Sequence, residues 1–301
     1  MMKFCYLFMF LTFSVFSQEK EQDSIIRKQI QDYNASFAVA LVNGNSADLI
    51  KTYSDSSVLM PEHSKQRTGS KEIAEFYQQW LKDTKISSYQ KTIFELQDLG
   101  GYILEIGNFG ESLQKIDNKP YEYFGKYMVL WKVISKRKLT IAAEIWGADY
   151  YIDDKKLPQI NDTNITPTKE YNSSDKITTE VKTKNNSIKE LVRERKGAEH
   201  AKMFTTDAIY LTYYTPMRVG IKDITGYFTE HEKPGTLNID AISIQTSGII
   251  KTKKAIVEFG FYNVDWSDGD NHGNVKGKSV NVWKRNYNGE LMLFRQMVNH
   301  D

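Results

Sequence analysis

The feature that most constrains this chain is that it resembles itself. "LTIAAEIWGAD", Leu139 to Asp149, sets against "LMLFRQMVNHD", Leu291 to Asp301, at an offset of 152, and the same offset lays Trp131-Lys132 on Trp283-Lys284. Further upstream "TGSKEIAEFY" matches "VGIKDITGYF", pairing Gly69 with Gly220 and Ile73 with Ile224, and "YSDSSVLM" matches "FTTDAIYL", pairing Asp55 with Asp207. The offset drifts by only a residue or two between these points, as single-loop changes would make it, so two copies of one unit is the economical account. Between the copies, Asp153 to Asn186 is polar and turn-rich with hardly an apolar cluster, the composition of a linker. The expected organisation is a first domain over 22–152, a linker over 153–186 and a second domain over 187–301.

Each copy puts helices first and strands after. Ile26, Ile30, Tyr33, Phe37 and Leu41 recur at three and four residues and are closed by Asn43-Gly44, an amphipathic helix with its stop signal. A short helix to about Tyr53, a strand over Ser57 to Met60 and a helix with Ile73, Phe76, Tyr77 and Trp80 on its apolar face come next. Four strand-like segments near 86–97, 101–112, 121–134 and 138–149 complete the copy, and the second repeats them near 236–248, 252–266, 276–286 and 290–299. The fold class is therefore α+β: two tandem cones, each with N-terminal helices packed on a curved antiparallel sheet. A sheet bent over a helix leaves a conical cavity as well as a core.

The first residues, "MMKFCYLFMFLTFSVFSQ", carry a basic start, a short apolar run and small residues at its exit. These are the marks of a secretory signal over 1–17, so the protein is expected to be secreted or periplasmic, with no membrane span once the signal is cut. The chain's one cysteine, Cys5, lies inside that segment, so the mature fold has neither disulfides nor thiolate ligands to rest on. A net charge of +2, with no Lys/Arg stripe, points away from nucleic acid. "SKRKLT" at 135–140 reads as a basic hairpin turn.

The order of helix, short helix, "YSDSSVLMP", "TGSKEIAEFY" and long strands ending in Trp-Lys and "EIW" resembles the NTF2-like (cystatin-like α+β cone) superfamily, in particular its secreted SnoaL-like or DUF4440-like branch, in tandem duplication. The resemblance covers both copies and not the linker. It implies the cone fold; function has to come from the cavity residues, because such folds host many activities. In ketosteroid-isomerase-like members a carboxylate base lies near the end of a stretch like "YSDSSVLMP" and an oxyanion-binding tyrosine on the first helix. Here those positions fall on Met60 and Phe37, and in the second copy on Thr212 and Glu190. A thioether is barely basic and a hydroxyl is a poor base without an activating partner.

Alternation along the last strand puts Thr140, Ala142, Glu144 and Trp146 on one face and Leu139, Ile141, Ala143 and Ile145 on the other. Glu144 and Gln296 occupy matching places. Facing the cone, Glu144 would be a buried acid able to move a proton; facing solvent, it would only solubilise the sheet. Asp55, Asp207, Gly69 and Gly220 read as turn residues, with Ser70 as a helix cap. The five histidines lack metal-ligand spacing. "DWSDGDNHGNVKG" is rich in oxygen ligands, yet the twelfth place counted from Asp265 is Lys276 rather than an acid, which favours a hairpin over a calcium loop. No metal or cofactor is expected.

Two functions remain open. One is a non-catalytic binding or scaffold protein, a monomer whose two sheets form an internal pseudo-dimer, its first cone holding a small apolar or aromatic molecule among Tyr127, Trp131, Glu144, Trp146, Met60 and Phe37. The alternative is an isomerase-, cyclase- or dehydratase-type enzyme with Glu144 as general acid–base and Tyr127 as hydrogen-bond donor.

Overall fold

The computed structural model describes residues 24–115, 119–163 and 165–301; residues 1–17, expected to form a secretory signal, lie outside them. The first copy consists of helix α1 over 24–42, α2 (Ser46–Leu49), β1 (Tyr53–Met60), β2 (Arg67–Thr68), α3 (Gly69–Leu81), β3 (Thr84–Asp98), β4 (Tyr102–Lys115), β5 (Tyr121–Ser135) and β6 (Lys138–Ala148). The second consists of α4 (Lys176–Arg193), α5 (Gly197–Ala201), β7 (Phe204–Leu211), β8 (Arg218–Val219), α6 (Ile221–His231), β9 (Leu237–Lys251), β10 (Ile256–Asp268), β11 (Asn271–Arg285) and β12 (Leu291–His300). The sheets run β2-β1-β6-β5-β4-β3 and β8-β7-β12-β11-β10-β9, the same order element for element. The expected α+β architecture is what the chain adopts. Each sheet is antiparallel except where β1 lies parallel to β6 and β7 parallel to β12.

The second copy starts earlier than its sequence pattern indicates. Asp175 caps α4 by accepting from the backbone N–H groups of Ile177 and Thr178, so the last part of the segment read as linker is helix. The reason is a polar residue at a core position. Along Ile177, Val181, Asn185, Ile188 and Val192 the buried stripe is interrupted by Asn185, which breaks the apolar period that reveals a helix. The rest of the connection is tied down: Asp162 accepts from Arg67 and Ser64, Asn161 N–H donates to Gln79, and Tyr171 N–H donates to the Thr246 carbonyl.

One sheet face of each copy lines its own cone; the other faces the sibling copy. Met60, Leu104, Ile106, Met128 and Ile145 of the first sheet meet Leu211, Val257, Val280, Val282 and Met297 of the second in a shared apolar core. Two lysines pin its edge by a pseudo-twofold exchange. Lys126 donates to the Ala148 carbonyl at home and to the Thr215 carbonyl across the junction, at 2.7 Å. Its repeat mate Lys278 donates to the His300 carbonyl at home and across to Ser64, at 3.2 and 2.8 Å. Backbone bonds repeat the exchange, Tyr214 N–H to Ala148 and His63 N–H to His300, each at 3.0 Å. Burial pushes the Lys126 ammonium down to about 8, against the opposing pull of Asp149. An unsymmetric fork adds to the clasp: Arg295 Nε and Nη2 donate to the two Glu95 carboxylate oxygens at 2.7 and 2.6 Å.

Candidate functional site

Strict alternation does not survive in the last strands, and this decides which side chains enter the cones. The register of β6 on β5 shifts between Leu130 and Trp131, and that of β12 on β11 between Val282 and Trp283. The shifts leave Ala142 and Phe294 without a ladder partner, two β-bulges at the same repeat position. Before the bulge Ile141 faces the cone; beyond it Ala143 and Ile145 face the sibling sheet. Glu144 and Trp146 line the first cone, and Gln296 and Val298 the second.

The first cone is nearly solid. Phe37, Tyr77, Tyr89, Phe109 and Tyr127 crowd its axis, leaving a cavity of about 30 Å³, room for little more than a water molecule. Glu144 is buried with both oxygens occupied: Oε1 accepts from Lys91 Nζ at 2.6 Å and Oε2 from the Tyr53 hydroxyl. Lys91 also lies 4.4 Å from the Tyr127 ring centroid, so its charge is met by a carboxylate and an aromatic face. Glu144 is therefore not on an outer surface; it is half of an internal ion pair. Tyr127 donates at 2.7 Å to Glu105, not toward Glu144.

Other expected lining residues fall elsewhere. Met60 is in the core between the sheets, because β1 turns Leu59 to the cone and its neighbour away. Trp131 is fully buried and donates Nε1–H at 2.8 Å to Glu105. Phe37 and Trp146 do border the small cavity. Ser70 donates to Asp55 at 2.5 Å instead of capping α3, which begins after Thr68. In the second copy Glu190 pairs with Arg193 near the surface, while Thr212 borders a cavity. "DWSDGDNHGNVKG" is the tip of the β10–β11 hairpin, with Asn274 donating to Asn263 at 2.8 Å.

A pair of carboxylates not singled out by sequence pattern organises both cores. Glu105 accepts from Asn34, Tyr127 and Trp131; Glu258 accepts from Asn185, Thr246, Asn281 and Trp283. Asparagine, glutamate and tryptophan thus recur as a buried network in each copy. The signal was present in "ILEIG" and "IVEFG", where an acid sits between apolar residues at the same place in the repeat.

The second cone is open where the first is shut. It holds a cavity of about 500 Å³, within the range of small-molecule sites. Tyr227, Phe228 and Tyr262 supply aromatic walls, and Ile239, Ile244, Val264 and Trp266 line it with side chains that remain half-exposed. Polar side chains also border it, among them Asn185, Arg195, Thr212, Ser279, Asn281 and Gln296. Gln296 Nε2 donates to Asn281 Oδ1 at 2.9 Å. His200 Nδ1 lies 2.7 Å from Glu232 Oε1, both side chains buried, and the second Glu232 oxygen is buried without a hydrogen-bond partner. A carboxylate only accepts, so Nδ1 is the donor and Nε2 is the nitrogen left for other partners. His300, also at the cavity, is pushed down to about 4 by burial. Among the described residues no cluster of His, Cys, Asp and Glu is arranged to hold a metal ion, and no helix is long and apolar enough to cross a membrane.

No protein-family model and no curated protein matches the chain. Solved structures similar to parts of it include a ketosteroid isomerase-like protein from Erwinia carotovora atroseptica (8% identity, 42% of this chain, 97% of that one, TM-score 0.37). ActVI-ORFA from Streptomyces coelicolor is similar at 18% identity over 42% of this chain and 98% of its own, with TM-score 0.37. An NTF2-like superfamily protein from Salmonella enterica is similar at 13% identity over 42% and 92%, again with TM-score 0.37. The architecture rests on the two sheets themselves.

Proposed function

We propose that the protein is a non-catalytic small-molecule binder in which the second cone is the binding chamber and the first cone is a filled scaffold that holds it in shape. The observation that carries this reading is the difference between two copies of one unit: about 500 Å³ in the second cone against about 30 Å³ in the first. Two equal folding units do not need unequal interiors, and a cavity bordered by half-exposed apolar side chains costs stability unless something fills it. The occupant is a small apolar or aromatic molecule, given the ring-rich walls. The leader-like start at 1–17 supports a secreted or periplasmic address, and the sheet faces buried against each other support a monomer.

The enzymatic alternative, with Glu144 and Tyr127 at work in the first cone, is disfavoured by the engagement of both groups in a solid core. A fluorescent apolar dye, 1-anilinonaphthalene-8-sulfonate, is expected to bind with enhanced emission at one site, and Val264→Trp, which fills the second cone, is expected to abolish it. Glu144→Gln in the first cone should leave the dye signal of the folded protein unchanged. Dye binding that survives Val264→Trp but is lost in the first-cone variant would reverse the assignment.

A further inference from the structure

The repeat provides an internal control for every residue of the second cone. At the offset of 151 that lays Gly69 on Gly220, His200 falls on Leu49 and Glu232 on Leu81. In the first copy Leu49 is fully buried and Leu81 packs against the same core. Where the first copy has two core leucines, one on short helix α2 and one at the end of α3, the second has an imidazole and a carboxylate 2.7 Å apart. The fold does not need a polar pair at this place. Burying one is costly, and the cost is aggravated by the second Glu232 oxygen, which is buried with no partner. A polar pair that replaces an apolar one at the wall of the larger cavity is best explained by what the cavity takes in.

We infer that the His200–Glu232 pair is a hydroxyl-recognition site, and that the ligand of the second cone is an aromatic compound bearing an acidic hydroxyl, a phenol or enol, whose O–H donates to His200 Nε2. This rests on the reading of the second cone as the binding chamber. Glu232 fixes Nδ1 as the donor nitrogen and, by accepting from it, makes Nε2 a better acceptor. Gln296 lines the same cavity; one of its two amide N–H groups is held by Asn281 Oδ1, and its carbonyl oxygen offers a second acceptor. The neighbouring Phe228 ring, with its centroid 4.1 Å from that of His200, and Tyr227 give the aromatic body its surface. Such a wall distinguishes a hydroxyl from its methyl ether, because the ether has no proton to give and leaves the acceptor unpaired.

The test compares 2-naphthol with 2-methoxynaphthalene by titration calorimetry on the whole chain. The parent protein is expected to bind 2-naphthol about tenfold more tightly, the worth of one net hydrogen bond. The variant His200→Leu/Glu232→Leu, which installs the pair that the first copy already uses, is expected to bind both compounds with equal affinity. A measurement that needs no variant accompanies it: 2-naphthol should shift the His200 imidazole resonances in NMR, and 2-methoxynaphthalene should not. Equal binding of the two compounds by the parent, or a preference that persists in the double-leucine variant, overturns the inference while leaving the chamber intact. Absence of binding by either compound, together with absence of dye binding, overturns the chamber and the inference with it.

Discussion

At the scale of single residues, the polar groups inside the cones are held by what they touch, and each makes a measurable claim. Glu105 is fully buried with three donors directed at it. Trp131→Phe keeps the ring packing and removes one donor, so it is expected to lower unfolding free energy by about 1–3 kcal/mol in a denaturant titration, the cost of leaving a buried acceptor short. A change within a few tenths of a kcal/mol would mean that the indole N–H is dispensable. Glu111, in the first cone, has Trp80 Nε1 as its donor at 3.1 Å, and burial pushes its carboxyl up from 4.5 to about 7. The native state therefore holds a proton that the unfolded chain releases. Its stability contribution is whole below pH 4.5 and is lost as pH rises to about 7, a decline of about 3 kcal/mol. Glu111→Gln, which keeps the acceptor and removes the titration, should flatten that decline, and an unchanged pH profile would reject the assignment.

At the scale of elements, the sheets bend because glycine stands where strands come too close for a side chain. Gly125 and Gly277 are repeat mates on β5 and β11; a Cβ would lie 2.3 Å from the Gly147 carbonyl oxygen at the first and 2.0 Å from that of Asn299 at the second. Gly277→Ala is expected to cost about 1–3 kcal/mol through backbone displacement, with a fall in melting temperature and a disturbed Tyr262 environment, since the Tyr262 hydroxyl lies 2.5 Å from the same position. An unaltered melting temperature would show that β11 can move away at no cost. The same elements explain what the sequence could reveal. Strand and helix order were legible from apolar period and from the Trp131/Trp283 correspondence, because those rings face the cones in both copies. The bulges at Ala142 and Phe294 were not, since a bulge is a register relation between two strands and leaves no mark on either alone. Nor was the open cone: His200 and Glu232 are 32 residues apart, one on α5 and the other just past α6, and look like surface residues until those segments meet. Alternation left open whether Glu144 faces a cone or solvent; the structure turns it to the first cone, where Lys91 from β3 pairs with it, a partner no local pattern could supply.

At the scale of the whole molecule, the junction between copies decides whether the chain behaves as one body. Each sheet contributes its outer apolar face to a shared core, and the reciprocal lysine bonds at Lys126 and Lys278 seal one edge of it. A surface used internally is not available to a second chain, so sedimentation is expected to give a monomer. Neither half can expose that face to water without losing the burial that stabilises it, so unfolding should be one transition, with calorimetric and van't Hoff enthalpies equal. Arg295→Ala tests how firmly the halves are coupled. Arg295 is buried and forks onto Glu95 of the other copy; truncating it leaves that carboxylate facing the junction without its partner, a loss of about 2–5 kcal/mol for a hydrogen-bonded charge pair of this kind. If the shared core dominates, the variant melts earlier but still in a single step with both cones going together. Two resolved steps in the parent protein would refute the one-body description. Two steps in the variant alone would place the coupling in the Arg295–Glu95 fork rather than in the apolar core, and the binding chamber of the second cone would then be expected to outlast or precede the first cone in melting according to which half is intrinsically the more stable.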